Sequence, residues 1–450
     1  MGAVLDSSRR LPYALVAAAA ILPRLGVLLH ERSAITASYV DKGDVFARTF
    51  IHYGTYGFIP GKPSAYTQPL YGWFLIPLYW IFTRSWIVVG LAQIAVATAT
   101  ALLVYEIGRR WISPRAGLLG ALAATVHPYL VWHDVHMNRE ILDELLAAAI
   151  VLLTLLVADR PSLPLAAGLG LALGLGILGN VRLLLLPLVV AAFLLALRRR
   201  AVLVPALVAL VATAVVVAPW VVRNRVSVGC AALTTDGRAL WKANNPNTLR
   251  TLEHGKWIDD VPSIPGAPPT PQDAGAIYAS TGRVVETDEC AQMRYYRHLA
   301  FQFMRHHPGE KAKLAGVAAR MLWQPSVTRT EGRSGAGTSL DTGRRIVEPA
   351  FMIVLYALGL VGLFLVPRRF AALVLMLLAY DTLAAMLFAG ETRYRVPWDF
   401  LVALCAAVTV ERLLRPSSSI RRLPKAGEWT RARSPSSPLR PASVSPGPHG

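Results

Sequence analysis

The hydrophobic positions of the chain fall into long uninterrupted blocks and do not alternate with polar positions. Runs such as "ALVALVATAVVVAPW" (206–220) are typical of helices that cross a bilayer, whose hydrocarbon core takes about 20 residues per helix. A transmembrane strand would alternate over segments of about ten residues. The pattern therefore predicts an all-α polytopic membrane protein with about ten transmembrane helices. The predicted spans are 11–29, 85–108, 116–132, 141–158, 162–178, 181–197, 201–222, 346–366, 370–389 and 397–413.

Two apolar segments need a separate interpretation. The first block follows Arg9 and Arg10 as a signal peptide would, but no small-residue cleavage site stands out after it, so we expect an uncleaved first span. The aromatic segment "PLYGWFLIPLYWIF" (69–82) is predicted to be an interfacial or re-entrant helix. Counting it as a span would place the cationic residues 198–200 on the opposite side from the other cationic loops.

Composition and charge support a membrane protein with a fixed orientation. Of the 450 residues, 54% are hydrophobic and 16% charged, the mean hydropathy is +0.44 and the formal net charge is +19. The cations cluster on one predicted side, which is then cytoplasmic together with the N-terminus and the tail. The charge therefore indicates orientation and contact with anionic membrane lipids, and no nucleic-acid partner is expected. These cations are Arg9, Arg10, Arg109, Arg110, Arg115, Arg198, Arg199, Arg200, Arg368, Arg369 and those of the tail from Arg412 onward.

The same topology divides the chain into four parts. The long polar segment between the seventh and eighth spans predicts an outer-side loop subdomain, and its portion 326–345 is a candidate lid. The basic, Pro/Ser-rich tail is predicted to be disordered. The parts are an N-terminal transmembrane module (1–222) with a catalytic first outer loop (30–84), an extracytoplasmic loop subdomain (223–345), C-terminal transmembrane helices (346–413) and a cytoplasmic tail (414–450).

The cysteines leave one question open. Cys230 and Cys290 both fall in the large outer loop. A disulfide between them fits an oxidising outer compartment, and two unpaired thiols fit the sequence equally well.

Polar residues that are distant in sequence gather at the outer ends of the predicted spans. One such residue is most often an interfacial cap, but a set on one side of the membrane indicates a shared cavity. A carboxylate there can accept a proton from a nucleophile, and arginines can hold a phosphate leaving group. This chemistry suits a lipid phosphate whose tail stays in the hydrocarbon. The residues are Asp41, Asp44, Glu140, Arg182, Arg223, Asn224, Glu391, Arg393 and Arg395.

Other sites are less well supported by the sequence. The sequence contains no G-x-x-x-x-G-K-[ST] loop, and the glycines of 168–180 are predicted to allow close helix packing. The segment "HDVHMNRE" (133–140) offers two histidines and Asp134 but lacks a clear fourth ligand, so a polar loop is favoured over a metal site. No metal ligand is assigned and no cofactor is expected, although the acids leave a divalent cation open.

Four motifs, in this order, resemble the multi-spanning GT-C glycosyltransferases that use polyprenyl-phosphate sugars, such as protein O-mannosyltransferases and lipid A aminoarabinose transferases. An acid in the first outer loop is followed by "GTYGF" and "PSAYTQPLYGWFL" (63–75). Glu140 begins a span in "NREIL". "APWVVRN" (218–224) precedes "TTDGRALWKANNP" (234–246), and "ETRYRVPWDFLVALCAA" (391–407) comes last.

The resemblance implies an inverting hexosyl or pentosyl transfer on the extracytoplasmic side of the cell membrane. Asp41 or Asp44 would be the general base, with a slight preference for Asp41, and Glu140 would position base or acceptor. The family often has a second acid after the base, and here Lys42 follows Asp41. The donor would be a polyprenyl-phosphate sugar and the acceptor a protein, lipid or glycan. The implied substrate-binding residues are Arg182, Arg223, Asn224, Glu391, Arg393, Tyr394 and Arg395.

Three other functions compete with this one. A transporter or flippase would explain the spans but predicts an internal repeat and paired broken helices, and the sequence shows neither. An assembly protein would not need the first-loop acids together with "RYR". An envelope glycan polymerase or ligase would share the lipid-linked substrate but use a lipid diphosphate.

Overall fold

The computed structural model describes residues 2–37, 40–198, 200–325 and 339–414. Throughout these residues the regular structure is helical and no strand forms, which confirms the predicted all-α class. Residues 326–338 of the predicted lid (326–345) fall outside the described residues. The predicted tail falls outside them from 415 onward.

The N-terminal part contains the first outer loop and most of the apolar helices. Its helices are α1 (Gly2–Glu31), α2 (Lys42–Tyr53), α3 (Leu70–Phe82), α4 (Trp86–Trp111), α5 (Pro114–Thr125), α6 (Pro128–His133), α7 (Glu140–Asp159), α8 (Leu163–Gly179), α9 (Leu186–Arg198) and α10 (Leu203–Ser227). The segment predicted to be the outer subdomain contains α11 (Gly237–Ala243), α12 (Thr248–Glu253), α13 (Pro271–Thr281), α14 (Glu289–His306) and α15 (Pro308–Trp323). The C-terminal helices are α16 (Ser339–Leu363), α17 (Arg368–Leu387), α18 (Thr392–Arg395) and α19 (Asp399–Leu413).

Seven helical segments of the described chain are long and apolar enough to cross a membrane, which makes it a multi-pass membrane protein. The other three predicted spans coincide with shorter helices, namely α5 with α6, α8 and α19, so the count of ten stays a prediction. Pro128 explains one of these breaks, because proline disfavours helical backbone in the residue before it and begins α6 afresh. The seven segments are Arg10–Thr36, Trp86–Trp111, Glu140–Asp159, Val181–Arg198, Leu203–Ser227, Ile346–Leu363 and Arg368–Leu387.

The glycines of α8 bring α10 into close backbone contact. A Cβ at Gly170 would lie 2.4 Å from the Ala209 carbonyl oxygen, and a Cβ at Gly174 would lie 2.6 Å from Cβ of Val216. The Thr213 hydroxyl donates to the Gly170 carbonyl at 3.2 Å across the same contact. The predicted packing role of this glycine-rich segment is confirmed. The contact fixes α10, whose end leads into the outer subdomain.

A disulfide joins the end of α10 to the outer subdomain. Cys230 and Cys290 are bonded, with their Cα atoms 5.9 Å apart. The open question from the sequence is therefore answered in favour of pairing. Cys290 is the second residue of α14, so the bond fixes this helix against the membrane-proximal chain.

Candidate active site

Asp41 lies at the start of α2, beside the loop that leads into α7. Its carboxylate Oδ1 accepts a hydrogen bond from the Gly43 N–H at 2.7 Å, as an N-terminal cap does. Its own N–H donates to the Met137 carbonyl at 2.9 Å. Within the described residues Oδ2 has no hydrogen-bond partner, and the side chain is partly exposed. Asp41 therefore keeps a carboxylate oxygen with which it can accept a proton.

Asp44, the other predicted base, is enclosed by donors. Its side chain is 1% exposed, and Arg84 donates to both of its oxygens at 2.8 and 3.1 Å. The Tyr79 hydroxyl donates at 2.6 Å, and Arg48 lies 3.2 Å away. Because cations and a hydroxyl already occupy both oxygens, this carboxylate is arranged to hold α2 against the segment after α3.

The start of α7 presents several acids on one helix face. Glu140 is 4% exposed, and its Oε2 has no hydrogen-bond partner among the described residues. Asp143 lies three residues later, on the same face, and accepts from the Asn180 amide at 3.1 Å. The sequence analysis missed Asp143, because it falls inside the predicted span 141–158.

Arg139 is a second residue that the sequence analysis missed. Its guanidinium donates to the Gln68 side chain at 2.8 Å. Burial by itself would lower the pKa of Arg139. The negative charges of Glu140, Asp143 and Asp41 have the larger combined effect, so the pKa of Arg139 lies above its usual value. Arg139 thus links the first-loop acid electrostatically to the acids of α7.

The late segment brings Arg393 to the same place. Its Nε lies 2.6 Å from Glu391 and 4.0 Å from Glu140 Oε1, and the side chain is 27% exposed. Its Nη2 donates to the Tyr394 hydroxyl at 3.0 Å. The predicted convergence of α7 with the "ETRYR" segment is therefore observed, and the two acids orient a guanidinium that water reaches.

Arg182 lies on the other side of Tyr394. Its guanidinium carbon stacks 3.4 Å from the centre of the Tyr394 ring, and Nη2 donates to the Ala389 carbonyl at 2.6 Å. Nη1 is buried and has no hydrogen-bond partner among the described residues. A small cavity lies beside this arginine, lined by Asp143, Asn180, Arg182, Tyr380, Asp381 and Tyr394.

Three of the predicted site residues, Arg223, Asn224 and Arg395, bond to neighbouring segments of the chain. Arg223 donates to the carbonyls of Ser64 and Tyr56 at 2.9 and 3.1 Å, and Asn224 donates to the Ala232 carbonyl at 2.8 Å. The Arg223 bonds hold the first outer loop against the end of α10, and the Asn224 bond holds the segment that follows α10.

Arg395 is fully buried and pairs with Asp399 at 2.9 Å. It also donates to the carbonyls of Leu322 and Gln324 at 2.8 and 3.0 Å. These bonds join the end of α15 to the start of α19.

The histidine-rich segment is part of the buried bundle. Asp134 pairs with Arg24 of α1 at 2.6 Å, and His136 Nδ1 lies 2.8 Å from the Trp132 carbonyl oxygen. No group of three or more His, Cys, Asp or Glu residues able to hold a metal ion occurs in the part of the chain that the structure describes.

Comparison with known proteins gives one family match. Residues 62–222, about a third of the chain, match the family described as dolichyl-phosphate-mannose-protein mannosyltransferase. The match includes "PSAYTQPLYGWFL" (63–75), Glu140 and Arg182; it begins after Asp41 and Asp44 and ends one residue before Arg223. A comparison with curated protein sequences found no match.

Solved structures share the fold at low sequence identity. The archaeal oligosaccharyltransferase AglB from Archaeoglobus fulgidus, in complex with an inhibitory peptide and a dolichol-phosphate, matches with a TM-score of 0.50 and 13% identity, covering 89% of this chain and 50% of that one. The apo form of the Archaeoglobus fulgidus oligosaccharyltransferase matches with a TM-score of 0.52 and 14% identity over the same shares. The chain thus spans about half the length of these proteins.

A third structure is less similar. ArnT from Cupriavidus metallidurans, bound to undecaprenyl phosphate, gives a TM-score of 0.39 and 16% identity, over 87% of this chain and 77% of that one, and adds nothing to the fold assignment. The family match and the oligosaccharyltransferase fold confirm the resemblance found in the sequence motifs. The chain is therefore a multi-spanning membrane protein that shares the fold of these oligosaccharyltransferases, and residues 62–222 are similar to the mannosyltransferase family.

Proposed function

We propose that this protein transfers a sugar from a polyprenyl monophosphate to an acceptor on the extracytoplasmic side of the cell membrane, with Asp41 as the general base. The observation that carries the proposal is a carboxylate and a guanidinium that each keep a group without a partner and that both lie within electrostatic reach of Arg139. Among the described residues, Asp41 Oδ2 has no hydrogen-bond partner, and the buried Nη1 of Arg182 has none either. The first can accept a proton and the second can donate to a phosphate oxygen.

The reaction would proceed as a displacement at the anomeric carbon. The acceptor hydroxyl gives its proton to Asp41 Oδ2 as its oxygen forms a bond to that carbon. The bond from the carbon to the phosphate oxygen breaks, and the electron pair leaves with the polyprenyl monophosphate. Arg182 and Arg393 would stabilise the charge that develops on this phosphate. Attack opposite to the leaving group inverts the anomeric centre.

The remaining residues would orient these groups. Glu391 at 2.6 Å and Glu140 at 4.0 Å hold the guanidinium of Arg393, and the Tyr394 ring supports both arginines. The family match to a dolichyl-phosphate-mannose enzyme and the dolichol-phosphate bound by AglB support a lipid-phosphate donor. The lipid tail would stay in the bilayer.

The proposal is tested by sugar transfer in native membrane vesicles. A panel of labelled polyprenyl-monophosphate and polyprenyl-diphosphate sugars is incubated with wild type, Asp41→Asn and Asp288→Asn. Asp288 is a matched control, because it also caps a helix, accepting from the Ala291 N–H at 2.8 Å at the start of α14. Asparagine caps helices as well as aspartate does, so both variants should fold.

We expect Asp288→Asn to transfer as wild type does, and Asp41→Asn to lose at least about 100-fold, the usual contribution of a general base. Equal transfer by all three proteins would contradict the role of Asp41. Transfer only from polyprenyl diphosphates would favour a polymerase or ligase, and uptake of intact donor would favour transport.

A further inference from the structure

The motif "TTDGRALWKANNP" forms a short helix, α11, with a polar residue at each end that reaches a different part of the site. Asp236 caps the N-terminus by accepting from the Ala239 N–H at 3.1 Å. Asn244 caps the C-terminus, where its amide donates to the Leu240 carbonyl at 2.9 Å. Both residues also bond outside α11, and neither has a role in the proposed reaction.

The N-terminal end of α11 contacts the residue that follows the base. Lys42 Nζ lies 3.4 Å from Asp236 Oδ2 and 4.8 Å from the centre of the Tyr66 ring. Lys42 is the first residue of α2, directly after Asp41. The Thr234 hydroxyl also donates to the Tyr66 carbonyl at 2.9 Å. The start of α11 is therefore connected to the start of α2.

The C-terminal end of α11 contacts the helix that leads to the arginines. The Asn244 amide donates to the Leu387 carbonyl at 3.1 Å, at the C-terminus of α17. Lys311 donates to the Asn244 side-chain oxygen at 2.5 Å and to the Met386 carbonyl at 2.8 Å. The amine is well placed to donate there, because the last carbonyls of a helix carry partial negative charge. The chain continues from Leu387 directly to Glu391 and Arg393.

Packing holds α11 rigidly between these two ends. A Cβ at Gly237 would lie 2.6 Å from the Met293 carbonyl oxygen, so α11 touches the backbone of α14. Trp241 is 6% exposed and packs against Tyr296, with ring centroids 5.4 Å apart. A helix of this length extends about 10 Å at 1.5 Å per residue.

We propose that residues 236–244, the α11 spacer, set the distance and orientation between Asp41 and the phosphate-binding arginines. Asp236 and Asn244 are its positioning residues, and Lys42 and Lys311 are their partners. This inference rests on the proposed function. The base and the leaving phosphate must lie on opposite faces of one sugar, and a misplacement of about 1 Å costs roughly 100-fold in rate.

The Lys42 contact allows a clean test, because breaking it should not unfold the protein. The Lys42 side chain is 37% exposed, and ion pairs of this kind contribute at most about 1 kcal/mol to stability. Asp236→Asn removes the charge but keeps a cap, and Lys42→Met keeps the apolar stem. Lys62→Met is the matched control. Its ion pair with Glu286 also joins the first outer loop to the outer subdomain, but both side chains are well exposed and away from α11.

The measurement is the single-turnover rate constant with enzyme in excess over a labelled donor. The donor is the polyprenyl-monophosphate sugar that was active in the vesicle assay. With active enzyme saturating and in excess, an inactive fraction of the protein leaves this rate constant unchanged. We expect Lys42→Met, Asp236→Asn and Lys311→Met each to slow the reaction by about 10-fold or more, with the donor KM within about twofold of wild type. Lys42→Arg should restore most of the rate, and Lys62→Met should match wild type.

A double-mutant cycle tests whether Lys42 and Asp236 act through one contact. If they do, Lys42→Met combined with Asp236→Asn is no slower than either single variant. Multiplicative effects, or single variants as fast as Lys62→Met, would overturn the inference. Asp41→Asn in the same assay separates the two claims. Loss in Asp41→Asn with normal spacer variants rejects only the spacer, whereas normal transfer by Asp41→Asn rejects the proposed function.

Discussion

Replacing Asp44 by asparagine should destabilise the protein without removing its chemistry. Asp44 is 1% exposed, accepts hydrogen bonds from Arg84 and Tyr79, and forms an ion pair with Arg48 at 3.2 Å. Asparagine has nearly the same shape but carries no charge, and its amide nitrogen would face a guanidinium. The variant therefore leaves Arg84 without its counter-charge in a partly buried position.

The expected loss of stability in Asp44→Asn depends on how exposed Arg84 and Arg48 are. Breaking a fully buried ion pair costs about 3–5 kcal/mol. Arg84 is 30% exposed and Arg48 is 46% exposed, so water partly solvates the abandoned cations. We therefore expect the free energy of unfolding to fall by about 2–3 kcal/mol. Asp41→Asn should change it by less than about 0.5 kcal/mol, because asparagine keeps the cap.

The assay pairs thermal unfolding in detergent with transfer measured well below the unfolding temperature. We predict that Asp44→Asn unfolds earlier but transfers sugar at the wild-type rate per folded molecule, and that Asp41→Asn shows the reverse. An Asp44→Asn protein as stable as wild type but unable to transfer would refute the reasoning. It would make Asp44 the base.

Further predictions concern the disulfide, the arginines and the outer subdomain. Replacing Cys230 and Cys290 by serine should lower the free energy of unfolding by about 2–4 kcal/mol and remove its sensitivity to reductant, measured by unfolding with and without dithiothreitol. Arg393→Gln should raise the donor KM about 10-fold through loss of a charge-assisted bond, whereas Arg395→Met should lower stability and leave the KM of the folded protein unchanged in steady-state kinetics. Burial lowers the pKa of Lys311 from 10.5 to about 8, so the unfolded chain binds more protons between these values. The unfolding temperature of wild type should therefore rise with pH relative to Lys311→Met across that window, and a fall would contradict the burial of this amine.

The sequence predicted the membrane helices because their apolar blocks match the length that a bilayer requires. It also predicted that Glu140, Glu391 and Arg393 meet, because each lies at an outer span end in a recognisable motif. Partners within such a cluster were not predictable. Arg223 bonds backbone carbonyls of the first outer loop, and any residue type supplies a carbonyl.

The residues missed by sequence analysis carried a weaker signal. Asp143 and Glu144 follow Glu140 at helical spacing in an otherwise apolar helix, so three acids on one face could have been noticed. The contact of Lys42 with Asp236 spans 194 positions and depends on how the outer subdomain folds over the loop. A single sequence contains no periodicity that would reveal it.

The central claim is most directly tested by the stoichiometry of the reaction in liposomes containing purified protein, an acceptor and a donor labelled in both sugar and lipid. The proposed mechanism predicts one polyprenyl monophosphate released for each sugar transferred, and neither product in Asp41→Asn. Release that persists in Asp41→Asn, or movement of the intact donor across the membrane without release, would contradict it.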